Sequence, residues 1–195
     1  MPLKLHTSPS VEPVTSANVK IKLGIASGDT SSDTQISWMI PAARRWVEQR
    51  TGRALINQTW QMYLDEFPNV IELPLGNVSS ITHVKYTATD GTLTTMSESD
   101  YQTDLVSAPA RIKPSYSAIT WPTTRDNTFN AVEVQFVAGY GAAASAIPED
   151  IIEAIYRIIG HWLNNQVSLE QGITITRVPF AVEQMVYPYC LQSFG

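Results

Sequence analysis

The sequence predicts an α+β fold in which a large antiparallel β-rich insert separates two long helices. Apolar residues recur at helical spacing up to Gly52, and soon afterwards every second residue is apolar, as in Met62 and Leu64. The helical period returns after Pro148 and continues to about Asn165. Since the two long helices flank the insert, we expect them to pack on each other while the β-region projects from the end of the pair.

Residues 1–54 are predicted to form an N-terminal arm, a short helix and the first long helix. Prolines at positions 2, 9 and 13 indicate an extended arm. Thr15 or Ser16 can cap a short helix that continues to about Leu23. The residues expected to face inward are Ala17, Ile21 and, at the margin, Val19.

The first long helix has an apolar face and recognisable ends. Ser32 and Gln35 have the spacing of a capping box, and Gly52 suits the position just after the last helical residue. Pro41 inside the helix predicts a kink. The apolar face consists of Ile36, Ile40, Ala43 and Val47.

The rest of the chain divides into three segments. Residues 55–140 are expected to form six or seven short strands, with turns at Asp90-Gly91, Ala108-Pro109 and Trp121-Pro122. Residues 141–166 hold the second long core helix, whose apolar stripe is Ile151, Ile155, Ile158, Ile159 and Trp162. Residues 167–195 are predicted to be an extended tail with room for one strand over Ile173–Val178. The organisation is therefore one compact domain plus a tail.

Composition narrows the class of protein. With 195 residues, 44% of them hydrophobic, the chain can bury one good core or two small ones. It has neither a membrane-length apolar run nor the apolar centre of a signal peptide, so we expect a soluble, intracellular protein. Cys190 is the single cysteine, which excludes an intrachain disulfide. The net charge of -5 predicts that any contact with DNA is loose or repulsive.

The motifs typical of enzymes are present only in weak form. Gly139 to Ala144 reads G-x-G-x-x-A, but Pro148 places the helix start several residues too late for a dinucleotide site, which favours a flexible loop. His6, His83 and His161 have no acid or cysteine at ligand spacing. We therefore predict no catalytic residue, no cofactor, no metal and no enzymatic activity.

The charge pattern suggests a contact between subunits. Four arginines lie at the first long helix with only Glu48 opposing them: Arg44, Arg45, Arg50 and Arg53. The insert is acidic, and its carboxylates face only Lys85. The pattern is that of ordinary solvated surface or of a head-to-tail contact, in which the basic helix of one subunit meets the acidic insert of the next.

Aromatic residues suggest two further surfaces. Trp38 and Trp46 lie off the apolar line of the first long helix, so they belong either to a broad buried face or to a strip for subunit packing. The tail is aromatic as well, and we favour docking on a partner over packing on its own core. The candidate docking residues are Met185, Tyr187, Tyr189, Leu191 and Phe194.

Five segments in order resemble a known family: TGRALINQTW, LDEFP, IELPL, VAGYG and IPEDI. Together they resemble the head-tail connector (adaptor, head completion) proteins of long-tailed bacteriophages, over residues 3 to about 166. The insert is larger and the tail longer than in minimal helical connectors.

The resemblance implies a structural virion protein of the neck, assembled in the host cytoplasm. It implies a homo-oligomeric ring of about twelve subunits between the portal protein and the head-tail stopper or tail terminator protein. DNA would pass through the lumen during packaging and ejection without sequence-specific binding, and no membrane is involved. The tail would dock on the portal.

The alternative is a carbohydrate- or surface-binding β module of a phage particle. Trp60 and Trp121 of the insert would then supply the stacking aromatic rings.

Overall fold

The computed structural model describes residues 2–165 and 180–191, which fall into two compact units. The β unit contains residues 2–9, 57–140 and 191, and the helical unit contains residues 10–56, 141–165 and 180–190. The predicted α+β class is confirmed.

The helical unit is built from four helices. They are α1 (Ser16–Leu23), α2 (Asp33–Thr51), α3 (Glu149–Asn165) and α4 (Phe180–Val186), and a 3-10 turn at Tyr187–Tyr189 follows α4. Helix α2 packs on α3, which also contacts α4 and α1. The apolar lines predicted for the long helices are buried, apart from Trp162, which is half-buried. The buried residues are Ile36, Ile40, Ala43 and Val47 on α2, and Ile151, Ile155, Ile158 and Ile159 on α3. Among the described residues, no helix is long and apolar enough to cross a membrane.

The ends of these helices follow local rules. The Thr15 hydroxyl accepts a hydrogen bond from the Asn18 amide, which confirms Thr15 as the cap of α1. Gly52 ends α2 with φ 68°, a left-handed conformation in which its N–H reaches the Glu48 carbonyl. The capping box expected at Ser32 is wrong, because that side chain makes no capping hydrogen bond within the described part of the chain.

The inward face predicted for α1 is also wrong. Ile21 is 76% exposed and Ala17 is exposed, whereas Val19 and Lys20 are buried. The Lys20 side chain is buried in the helical unit, and its ammonium donates hydrogen bonds to the Ser27 and Asp29 carbonyls and to Asp33 Oδ1 at 2.8 Å. A two-turn helix has too few apolar residues to fix its face, so this internal ion pair decides the orientation.

Within the predicted extended tail, Phe180–Val186 forms helix α4 and Tyr187–Tyr189 forms a 3-10 turn, so this part of the prediction is wrong. Val182 and Val186 of α4 are buried in the helical unit. Arg53 Nε donates to the Tyr189 carbonyl at 2.7 Å, which holds the 3-10 turn that follows α4. The strand predicted over residues 173–178 lies outside the described residues.

The β unit contains eight strands in two antiparallel sheets. The strands are β1 (Leu3–Thr7), β2 (Gln58–Leu64), β3 (Ile71–Glu72), β4 (Val78–Thr87), β5 (Leu93–Thr95), β6 (Tyr101–Asp104), β7 (Arg111–Pro114) and β8 (Val132–Ala138). One sheet has the order β1-β2-β8-β4-β5 and the other β3-β7-β6. The predicted N-terminal arm thus contains an edge strand, since β1 pairs with β2.

Alternation gives the larger sheet one apolar and one polar face. Met62, Val134 and Val84 lie side by side in register on three strands, and all are fully buried. Ile71 and Ile112, paired across the smaller sheet, are also buried. These residues form the core of the β unit.

Two of the predicted turns connect strands. The Asp90-Gly91 turn joins β4 to β5, with the Ala88 amide donating to the Thr92 carbonyl and Gly91 at φ 91°. Ala108-Pro109, a cis peptide bond, lies between β6 and β7. Trp121-Pro122 falls in the long loop between β7 and β8.

Candidate assembly surfaces

Arg44 is bound inside its own unit. It is buried, and it donates from Nε to Glu12 Oε2 at 2.9 Å and from Nη1 to Glu48 Oε2 at 2.9 Å. Glu48 also accepts the Leu55 amide at 3.0 Å. Burial opposes the charge on Arg44, but the two carboxylates outweigh it and raise the pKa of the guanidinium. Arg44 therefore ties the arm, α2 and the segment after α2 together.

The other three arginines differ in exposure. Arg45 and Arg50 are exposed on α2, and Arg45 Nε donates to the Pro41 carbonyl at 3.3 Å. Arg53 is half-buried, and its Nε donates to the Tyr189 carbonyl. The sequence-based statement that only Glu48 opposes this cluster is incomplete, since Glu12 lies far away along the chain but contacts Arg44 directly.

The tryptophans of α2 are also divided. Trp38 is 71% exposed, which is unusual for the largest side chain in a protein. Trp46 is half-buried. Trp38 is thus available to a partner molecule.

Of the tail candidates that the structure describes, Tyr187 is the most exposed. It is 57% exposed, whereas Met185, Tyr189 and Leu191 are half-buried. The Tyr189 hydroxyl donates to Asp150 Oδ2 at 3.3 Å, and partial burial raises the pKa of Tyr189. Phe194 lies outside the described residues.

The acidic insert has more basic partners than Lys85 alone. In the hairpin of β6 and β7, Arg111 Nη2 donates to Asp104 Oδ2 at 2.6 Å. Hydrogen bonds from Ser107 and Arg111 hold the pKa of Asp104 well below its usual range. Asp65 and Glu66 follow β2 directly, and both are exposed.

A polar cluster that the sequence did not reveal covers part of the larger sheet. His83 Nε2 lies 2.8 Å from Glu133 Oε1 on the neighbouring strand, and Gln61 Nε2 reaches Gln135 Oε1 at 3.2 Å. Partial burial and the charge of Glu133 raise the pKa of Tyr63 beside them. Only the pairing of β2, β8 and β4 brings these residues together. No group of three or more His, Cys, Asp or Glu among the described residues could hold a metal ion.

The glycine-rich motif connects β8 to α3. A Cβ at Gly139 would lie 2.5 Å from the Asn57 amide nitrogen, so close backbone approach requires glycine there. A 3-10 turn at Ala144–Ala146 follows, and α3 begins at Glu149. The loop predicted in place of a phosphate-binding helix start agrees with this geometry.

The two tryptophans that could supply stacking rings, Trp60 and Trp121, are partly covered by the protein itself. Trp121 stacks on Phe67 with ring centroids 4.6 Å apart and an interplanar angle of 7°. One face of its indole is therefore covered. Trp60 is half-buried on β2.

A groove in the helical unit was not predicted either. It measures about 360 Å³ and lies between α1, α3 and α4. Its apolar lining includes Leu23, Gly160, Ala181 and Val182. A Cβ at Gly160 would lie 2.8 Å from Leu23 Cδ2, so the end of α1 approaches α3 closely where both helices line the groove.

Charged side chains border this groove. The Glu153 carboxylate forms ion pairs with Lys22 Nζ at 2.7 Å and with Arg157 Nε at 3.0 Å. The hydrogen bond from Lys22 is the main cause that lowers the pKa of Glu153. Lys22 Nζ also lies 5.8 Å from the centre of the Tyr156 ring. Two cations thus share one carboxylate.

No family model and no curated protein matches the chain. Solved structures do match. The chain is similar, at 23% identity and a TM-score of 0.78, to a chain of the "Neck of empty GTA particle computed with C6 symmetry". It matches the "Virion of native gene transfer agent (GTA) particle" at 21% identity and a TM-score of 0.80. It matches the "Neck of native GTA particle computed with C12 symmetry" at 22% identity and a TM-score of 0.75.

Each of these matches covers 98% of this chain and 96% of the other. Both units are therefore included in the likeness, as are the order and connection of their elements. The resemblance to neck proteins of phage-like particles that the sequence indicated is confirmed at the level of the fold. The chain has the fold of a protein from the neck of gene transfer agent particles.

Proposed function

We propose that this chain is a structural virion protein, a head-tail connector that forms a ring between the portal and the stopper or tail of a phage-like particle. The observation that carries the proposal is the likeness to neck chains over 98% of the sequence. The resemblance to phage adaptor proteins is independent of that comparison, because it rests on short segments of sequence. The proposed role is structural and involves no catalysis.

Ring formation is supported by the symmetry of the similar structures, C6 and C12, and by the surface of this chain. A subunit in a ring presents two different surfaces to its two neighbours. Trp38, Arg45 and Arg50 form an exposed aromatic and basic surface on α2, which suits one of the two. We propose that this α2 surface contacts a neighbouring subunit, while Arg44 stabilises the helix behind it.

Passage of DNA is supported by the net charge. A conduit should bind DNA weakly, since each phosphate that a lysine or arginine neutralises adds affinity. A net charge of -5 meets that requirement. We propose that DNA slides through the lumen without sequence-specific contacts.

We assign docking on the portal to the C-terminal segment around Tyr187. Tyr187 is the exposed aromatic residue of the described part of this segment. Residues 192–195 follow it in the sequence. The buried Val186 and the bonded Tyr189 stabilise the segment from inside the helical unit.

The first experiment is to measure the mass of the purified protein by light scattering, alone and mixed with a portal protein. We expect a ring near the C12 subunit number, either spontaneous or dependent on portal. A protein that stays monomeric and does not bind portal under any condition would overturn the connector assignment. A surface-binding β module would then be the better interpretation.

The α2 surface is tested by changing Arg45→Glu together with Arg50→Glu. The change should reduce ring formation, and the reduction should be largest at low salt. The charge-matched control is Lys4→Glu with Lys113→Glu, two exposed lysines of the β unit. Equal assembly of the two double variants would remove the α2 surface from the proposal.

Portal docking is tested with Tyr187→Ala combined with truncation after Leu191. Both changes spare the buried residues of α4, so the helical unit should remain folded. We expect rings that form normally but bind portal at least tenfold more weakly, the effect of losing about 1.4 kcal/mol. Unchanged portal affinity would refute the docking assignment.

A further inference from the structure

The groove between α1, α3 and α4 has the size and lining of a socket for one large side chain. Its volume is about 360 Å³, and Leu23, Gly160 and Val182 line its apolar part. The groove sits on the surface of the helical unit beside exposed polar residues. Interfaces commonly use such pockets to receive an aromatic anchor from the partner.

The charged residues that line the groove, Lys22, Arg157 and Glu153, leave one net positive charge. Lys22 and Arg157 both pair with the single carboxylate of Glu153, and both are about half exposed. His161 also lines the groove. An occupant of the groove should therefore combine an apolar side chain with acidic surroundings.

One loop of the β unit presents such a side chain. Phe129 is 85% exposed. Left-handed residues flank it, Asn127 at φ 52° and Asn130 at φ 56°. The Asn130 amide donates to Asp65 Oδ1 at 2.7 Å, and Thr128 Oγ1 donates to the Asp126 carbonyl. The loop is therefore fixed in a conformation that holds the phenyl ring in solvent.

The surroundings of Phe129 are acidic. Asp65 accepts the hydrogen bond from the Asn130 amide, Glu66 follows Asp65 in the sequence, and Asp126 lies three positions before Phe129. All three carboxylates are exposed. Arg125 is the cation of this region, and its guanidinium packs over the Asp90-Gly91 turn, where a Cβ at Gly91 would lie 2.9 Å from it. Carboxylates thus outnumber cations around Phe129, which complements the border of the groove.

We propose that Phe129 of one copy of this chain inserts into the α1/α3/α4 groove of the neighbouring copy. Two different surfaces meet in this contact, so it is head-to-tail, and repetition around an axis closes a ring. The contact rests on the proposed connector function and deepens it by naming its interface. The sequence predicted that the acidic insert of one subunit contacts the basic first long helix of the next. In this proposal the acidic insert contacts the groove of the next subunit as well as its α2 surface.

Cross-linking tests the contact directly. Phe129→Cys and Ala181→Cys are introduced together in a Cys190→Ser background, because Ala181 is exposed at the groove. Cys190→Ser keeps a donor for the Arg50 carbonyl. Under mild oxidation we expect a covalent ladder of dimers, trimers and larger species up to closed rings. Each single-cysteine variant should give no species beyond a dimer.

The outcomes separate the contact from the function. Rings without a ladder would overturn the proposed contact and leave the connector function standing. A disulfide confined within single chains would also overturn it, because the groove would then receive Phe129 of its own chain. A wild-type protein that never assembles, even with portal, would overturn both.

A second pair of variants needs no cross-link. Phe129→Asp should raise the concentration for half-maximal ring formation at least tenfold. Val106→Asp is the matched control, since Val106 is 99% exposed in the β6–β7 hairpin loop of the same unit. Because both side chains are exposed, both variants should fold. Equal assembly of the two variants would refute the role of Phe129.

Discussion

Replacing Arg44 by methionine tests whether the internal ion cluster stabilises the helical unit. Methionine retains most of the apolar stem but removes the guanidinium. Glu12 and Glu48 would then lose the donor that each contacts at 2.9 Å. The Leu55 amide would remain on Glu48 at 3.0 Å.

The magnitude follows from the exposure of the two carboxylates. Removing one partner of a fully buried ion pair costs about 3–5 kcal/mol. The Glu48 side chain is 14% exposed and approaches that case, whereas Glu12 is 34% exposed and can regain water. We therefore expect Arg44→Met to lower the free energy of unfolding by about 2–3 kcal/mol at neutral pH.

The assay is urea unfolding followed by far-ultraviolet circular dichroism, with Arg45→Met as the matched control. Arg45 is the next residue, but it is exposed, so its loss should cost less than about 0.5 kcal/mol.

A free energy of unfolding for Arg44→Met within about 0.5 kcal/mol of that for Arg45→Met would refute this reasoning. That result would return Arg44 to the exposed basic surface as an equal of Arg45.

Two further predictions concern the glycine-rich loop and the groove. Gly139→Ala should destabilise the protein by more than about 2 kcal/mol, because the new Cβ would lie 2.5 Å from the Asn57 amide and φ is 154°. The control Gly28→Ala, where nothing lies within 4 Å, should be nearly neutral in the same unfolding assay, and equal effects would contradict the argument. At pH values above the unfolded pKa of Glu153, Lys22→Met should lower the free energy of unfolding by about 0.5 kcal/mol. Since Lys22 lowers the folded pKa of Glu153 below 4.5, the difference from wild type should vanish as the pH falls through that folded value. A difference that persists at lower pH would refute the ion-pair explanation.

The long helices could be predicted from the sequence because their signals are local. The spacing of Ile36, Ile40 and Val47 identifies the buried face of α2, and all three are buried. Gly52 marks the helix end because glycine adopts a left-handed φ at little cost. Alternation in β2 and β8 likewise separates core from surface.

The errors occurred where local signals are weak. Helix α1 is short, and Lys20 orients it through a bond to Asp33, thirteen positions away along the chain. Helix α4 was assigned to an extended tail because its seven residues are too few to show a period.

The interface residues show the same division. Sequence identified Trp38, Arg45 and Arg50 as candidates, and the structure leaves all three with substantial exposure. It could not show that Arg44 is buried, because Glu12 approaches it across thirty-two positions of sequence. The groove was equally invisible, since α1, α3 and α4 contribute its walls from distant segments.

The sequence by itself determined the fold class, the long helices, the alternation of the strands and the resemblance to neck proteins. Each of these depends on neighbouring residues or on short motifs, so one-dimensional spacing is sufficient. Only the tertiary structure decided which arginine is buried, where the groove lies and that Phe129 is held in solvent. Those properties depend on contacts between residues far apart in the chain, and burial is a property of the folded surface that no local pattern specifies.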